Sequence, residues 1–282
     1  MSISKKSKRP TGDFHVIKDK YIPEIESSLR KKPILMPKAI YKASGIRIQG
    51  TRIKSLVFST DIAVIRNCNA QAVFAVYPFT PQLAIVQTII AGSSIPVFAG
   101  VGGGTTSGSR SISIALQCEL LGAYGVVVNA PMKNEVIEEM YSVLDIPIIA
   151  TIVSKHDDFI GKINAGARIL NVSGGKNTAE LVRYIRSIVG NEFPIIATGG
   201  GEEEQINETI KAGANSITYT PPSTGTLFKA MMEDYRATSD AKDVKPSNSR
   251  DALNIEEFQR DLVFPSDSIE YINMELEKKR DK

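Results

Sequence analysis

The sequence predicts an α/β protein, a (β/α)8 (TIM) barrel with an N-terminal lead-in and a C-terminal helical tail. Three observations predict it: two short signatures that alternate along the chain, eight β-rich runs at even spacing, and a crowding of glycine and polar residues at one end of those runs. One signature sets an apolar residue and a proline before a β-rich run, at Ile95-Pro96, Ile146-Pro147 and Phe193-Pro194. The other sets Gly-Ala before such a run, at Gly122-Ala123, Gly166-Ala167 and Gly213-Ala214. Each recurs about every 44 to 51 residues, and the two interleave, which leaves room for one strand, one loop and one helix per unit.

Taken in order, the runs lie at 55–60, 72–77, 96–100, 124–129, 147–153, 168–173, 194–198 and 216–220. Their near-continuous Val, Ile, Phe and Ala content suits parallel strands that are covered outside and filled within. Between them, NEVIEEMYSVL (134–144), TAELVRYIRSIV (178–189) and EEQINETIKAG (203–213) space their apolar residues by three and four, the pattern of helices with one buried stripe. A doubly wound open sheet also alternates strands and helices; the count of eight favours closure. Ahead of the barrel, Pro33 and Pro37 argue against a long helix, so a short lead-in or hairpin covering the strand-start end is expected over 1–50. The barrel then occupies 51–236. A linker rich in Ser, Asp, Lys and Pro opens the segment 237–282, whose SIEYINMELEKKR forms a short helix suited to docking or oligomer contacts.

Composition narrows the function. Hydrophobic residues make up 42% of the 282 and charged residues 23%, as in a globular chain with a full core. The net charge of +3 is small, and its basic excess gathers at Lys5, Lys6, Lys8 and Arg9 rather than along a stripe, so nucleic acid is not an expected partner. Cys68 and Cys118 cannot build a disulfide framework, and no apolar run reaches the roughly 18 residues of a membrane span or forms a signal core. A cytoplasmic protein with no membrane partner is the expectation.

Barrel enzymes place their chemistry where strands end. After the third run, the loop from Gly100 to Arg110 contains Gly102, Gly103 and Gly104 and then opens a helix; it lacks the Gly-Lys-Ser/Thr ending of a P-loop. It reads as a lid, a second anion site countered by Arg110, or a plain surface loop. Asn129 and Asn171 end the fourth and sixth runs, either orienting a ligand hydroxyl or carbonyl or capping the next helix. Ser173, Gly174 and Gly175 follow the sixth run, Gly199, Gly200 and Gly201 the seventh, and Thr220, Ser223, Thr224 and Gly225 the eighth. Glycines there let main-chain N–H groups converge on a phosphate at a helix N-terminus, or simply permit tight turns. For acid–base work the candidates are Asp61, Lys155, His156 and Asp157, with Lys133 behind them; a solvated charged turn would look the same. Asp61, His156 and Asp157 are also the candidates for a divalent ion, although no ligand motif of fixed spacing is present.

On the glycines after runs six to eight, the chain over about 50–232 resembles the phosphate-binding (β/α)8 barrels, the group of ribulose-phosphate-binding enzymes, thiazole synthases and FMN- or nucleotide-linked barrels. That resemblance implies that the loop after the seventh strand and a short helix after the eighth hold phosphate. TDIAVIRNCNAQAVFAVYPFTPQ, NVSGG and YTPP are also similar to a group of uncharacterised bacterial barrels with a generic hydrolase label. The expected function is therefore an enzyme acting on a small phosphorylated or otherwise anionic metabolite by proton transfer or bond cleavage, a lyase or isomerase. An FMN- or nucleotide-linked oxidoreductase, a hydrolase and a non-catalytic phosphometabolite sensor are the alternatives. No cofactor is assigned, FMN and a divalent metal being carried with those alternatives, and a homo-oligomer is expected.

Overall fold

A computed structural model describes residues 34–240, together with Pro23 and Ile25. Of the linker and tail expected over 237–282 only 237–240 are described, as the end of a helix rather than a linker, and of the lead-in over 1–50 the residues before 34, apart from Pro23 and Ile25, lie outside the described residues. A 3-10 turn at Lys38–Lys42 leads into a two-stranded antiparallel hairpin, β1 (Ile46–Ile48) and β2 (Thr51–Ile53). Its turn residues Gln49 and Gly50 both have positive φ, 45° and 80°, the backbone of a tight primed hairpin turn. The division drawn at residue 50 falls within this turn.

Eight parallel strands follow: β3 (Ser55–Phe58), β4 (Ala72–Ala75), β5 (Val97–Gly102), β6 (Gly125–Val128), β7 (Ile148–Ile152), β8 (Ala167–Val172), β9 (Ile195–Thr198) and β10 (Ser216–Tyr219). They close in that order, with β10 pairing back onto β3, so the open-sheet alternative is overturned. Each lies within about two residues of its expected run. The helices alternate with them: α1 (Ile62–Arg66), α2 (Leu83–Gly92), α3 (Ser109–Leu120), α4 (Asn134–Val143), α5 (Phe159–Asn164), α6 (Thr178–Val189), α7 (Glu203–Lys211) and α8 (Thr224–Asp240).

Two buried clusters explain why the strands read as unbroken apolar runs. One side of each strand packs under the helices, with Val57, Val73, Val126, Ile148, Leu170 and Ile217 in that layer. The other side fills the barrel with Leu56, Phe74, Phe98, Val127, Ile149, Ile169 and Ile196. The hairpin adds Ile46, Ile48 and Ile53 to this inner cluster, so it plugs the strand-start end. No described helix is long and apolar enough to cross a membrane.

Candidate functional site

Side chains alternate across a strand, so the inward positions two residues beyond Phe98, Val127, Ile149, Ile169 and Ile196 are Gly100, Asn129, Thr151, Asn171 and Thr198. The apolar filling therefore gives way to a layer of amides and hydroxyls at the mouth. Asn171, 6% exposed, donates from Nδ2 to Thr151 Oγ1 at 3.3 Å, while its Oδ1 is buried without a hydrogen-bond partner. Turning the amide over would let Thr151 donate instead and leave the nitrogen without a partner. Either way one amide atom inside the mouth is unsatisfied, at a cost of about 1–3 kcal/mol in a folded chain without ligand. Next to it, Thr198 Oγ1 donates to Ser173 Oγ at 3.2 Å.

The opposite side of the mouth, over β4 to β6, holds a cavity of about 190 Å³. Val76, Tyr77, Pro78, Phe79 and Pro81 form one wall, Gly100 and Gly102 the strand side, and Gly104, Thr105, Thr106 and Asn129 the rest. Of the glycines expected in a lid or anion loop, Gly102 and Gly103 are buried at φ 139° and 106°. A Cβ on Gly103 would fall 2.6 Å from the Asn129 nitrogen, and one on Gly102 2.3 Å from Ser111 Oγ. Gly103 N–H donates to Thr106 O at 2.8 Å, and Asn129 N–H donates to Gly102 O at 2.9 Å. These two glycines thus let the loop fold against the end of β6; Gly104 alone of the three is exposed at the cavity.

The expected convergence of amides after β8, β9 and β10 is largely used up by the protein itself. Ser173 N–H donates to Ile152 O at 2.8 Å, Gly174 N–H to Thr178 Oγ1 at 3.1 Å, and Gly199 N–H to Thr218 O at 3.2 Å. A Cβ on Gly199 would meet Ile217 at 2.5 Å, so this glycine serves packing. Gly200, at φ 75°, and Gly201 keep N–H groups without a hydrogen bond among the described residues. Gly175 begins a 3-10 turn, and Thr220 is exposed. After β10 the chain runs straight into α8, 17 residues long, instead of a separate short helix. Ser223 Oγ accepts from Thr226 N–H at 3.1 Å, and the Thr224 hydroxyl donates to Asp61 Oδ2, with Gly225 between them exposed. A carboxylate of the chain thus stands at the helix start where an external phosphate was expected.

The charged candidates are held apart by separate duties. Asp61 caps α1, accepting from Ala63 N–H at 2.8 Å and Val64 N–H at 3.3 Å. The Thr224 hydroxyl, with those two amides, keeps its carboxyl below the ordinary carboxylate range. Asp157 closes the turn after β7 by accepting from Val153 N–H at 2.7 Å and Ser154 N–H at 3.1 Å. Lys155 leans onto the outer helix α6, 2.5 Å from Glu180 Oε1 and 5.7 Å from the centre of the Tyr184 ring, and so turns away from the mouth. His156 is exposed and its ring meets no partner among the described residues; Lys133 is exposed where it precedes α4. Asp61, His156 and Asp157 do not gather as ion ligands, and no three His, Cys, Asp or Glu do so among the described residues. The amides and hydroxyls on the rim of β6 to β9 supply no carboxylate, the ligand magnesium takes.

Sequence reasoning missed Lys162, which is buried on α5 and donates from Nζ to Met132 O at 2.6 Å. Burial lowers its pKa, opposed by Asp157 and Asp158. The available signal was its position three residues after Phe159, on the stripe that α5 buries. Asp158, also missed, caps α5 through Gly161 N–H at 2.8 Å and accepts from Asn134 Nδ2 at 2.8 Å.

No protein-family model matches the chain, and no curated protein matches it. Solved structures do. Phosphoenolpyruvate phosphomutase from Streptomyces platensis subsp. rosaceus is 12% identical, covering 79% of this chain and 96% of that one at a TM-score of 0.51. Phosphonopyruvate hydrolase in complex with oxalate and Mg2+ is 14% identical, covering 82% and 96% at 0.52. A mandelate oxidase variant with benzaldehyde is 14% identical, covering 63% and 68% at 0.50. Identities this low establish a common fold, and one fold carries unrelated chemistries. These structures carry names other than the ribulose-phosphate-binding enzymes and thiazole synthases expected from sequence.

Proposed function

We propose that the chain is a barrel enzyme of lyase or isomerase type that acts at the strand-end mouth on a small phosphorylated or phosphonylated acid. The observation that carries this reading is the unsatisfied amide atom of Asn171, buried among the hydroxyls of Thr151, Ser173 and Thr198. A buried polar atom without a partner is costly, and a ligand that bonds it removes the cost on binding. Thr198 and Ser173 then offer hydroxyls to anionic oxygens, and Gly200 and Gly201 offer the remaining N–H groups. His156, whose ring has no structural duty, is the group assigned to move a proton. The cavity of about 190 Å³ supports a small ligand, since pockets for larger molecules run to roughly 300–1,000 Å³. The reactions named for the similar mutase and hydrolase structures support the substrate class.

Titration with phosphoenolpyruvate and phosphonopyruvate, read by thermal unfolding and by 31P NMR, tests this. A rise in Tm of about 5 °C at a hundredfold excess over Kd is expected, with conversion of the bound acid or release of phosphate. Added Mg2+ is expected to change neither. The cavity over β4 to β6, whose described lining has no charged side chain, favours a second reading, a non-catalytic sensor of the same ligand. Binding without conversion would establish that reading, and no binding of either acid would end both.

A further inference from the structure

The two sides of the mouth differ in chemistry. From β6 to β9 the inward positions at its rim are Asn129, Thr151, Asn171 and Thr198; on β3 and β4 they are Phe58 and Val76. We infer that the ligand carries a compact apolar substituent, an aryl or branched alkyl group, seated in the cavity between the loop after β4 and the glycine loop after β5. The inference rests on the proposed function for the anionic end of the molecule and adds the other end.

Several features of the cavity support it. Phe79 is 73% exposed, held over the opening on a loop stiffened by Pro78 and Pro81, so a large ring faces water until something covers it. Tyr77 presents its ring, because its hydroxyl already accepts from Gln82 N–H at 2.8 Å. No charged side chain among the described residues lines the cavity. On the strand side stands Gly100, where a Cβ would come within 3.3 Å of Val76, so the space exists because β5 carries no side chain there. The cavity of about 190 Å³ has room for about six water-sized groups, the size of one aromatic ring. Asn129 lines the cavity and lies one strand from Thr151, which bonds Asn171, so an apolar group here and a polar head at Asn171 fit within one small molecule.

Titrating the full chain with methyl phosphate, phenyl phosphate and benzyl alcohol, followed by NMR, tests the inference. Phenyl phosphate is expected to bind about tenfold more tightly than methyl phosphate or better. In Phe79→Asp, a surface change that leaves the barrel core intact, that advantage is expected to vanish while methyl phosphate keeps its Kd. Binding of benzyl alcohol that is lost in Phe79→Asp, with neither phosphate ester bound, would uphold the apolar subsite and sink the anionic reading. Equal affinity for the two esters would overturn the subsite and leave the anionic reading standing. Failure of all three probes to bind would overturn both.

Discussion

At the strand-start end, the buried Arg186 guanidinium donates to Gly213 O and Gly190 O at 2.8 Å, to Phe193 O at 2.6 Å and to Asn215 Oδ1 at 2.5 Å. Asn215 in turn accepts from Ile195 N–H and donates to Ser44 Oγ, and the hairpin seals the interior below. At the strand-end face, Asn171 Oδ1 and Ser111 Oγ are buried without partners, and a ring as large as Phe79 lies in water. Polar groups satisfied by the chain itself hold the fold, whereas the proposed function has a ligand complete the unsatisfied amide of Asn171.

The comparison breaks most visibly at Arg186. Arg186→Met would strip donors from three carbonyls and Asn215, and a loss of about 4 kcal/mol is expected in denaturant unfolding. Ile53→Ala, which opens the plug, is expected to cost about 3 kcal/mol by the same measurement. Both should leave ligand affinity of the folded fraction unchanged. Asn171→Leu sharpens the contrast from the other side. It should raise stability by about 1 kcal/mol, because it removes an unsatisfied amide, and weaken phosphonopyruvate binding by tenfold or more.

Asp61→Ala removes the cap of α1 and the Thr224 tether, for about 1 kcal/mol at neutral pH. The folded chain holds this carboxyl below its unfolded value, so its contribution is present above the ordinary carboxylate range and lost as pH falls through the lowered value. The difference between wild type and variant should therefore shrink in acid unfolding curves. The smallest effect belongs to Lys155→Met. Its ion pair with Glu180 is exposed and points away from the mouth, so unfolding midpoint and turnover should both stay within error.

The eight strands and their order were legible because a strand buried on both sides must be apolar at every position, and the turns before it need Pro or Gly-Ala. The polar layer at the strand ends was legible for a related reason, since polar and glycine residues crowd those ends while the strand starts carry mainly Pro, Ala and aliphatic residues. The roles of those residues were not. Asp61, Asp157 and Asp158 stand before helices or in tight turns, and an aspartate that caps a backbone is the same letter as one that moves a proton. Gly102 and Gly103 read as part of a lid, a second anion site or a surface loop, and in the fold Gly103 packs against Asn129, just past β6, and Gly102 against Ser111 and Thr106.

By itself, then, the order of residues determined the closed barrel, its filled interior and the end at which polar residues crowd, because these follow from local periodicity and from burial on two faces. Only the tertiary structure decided which polar atoms are left over. Asn171 is unsatisfied, Lys162 buried and Lys155 turned outward because of what strands and loops 20 to 30 residues away bring beside them. A hydrogen bond has two partners, and sequence position names one of them at a time.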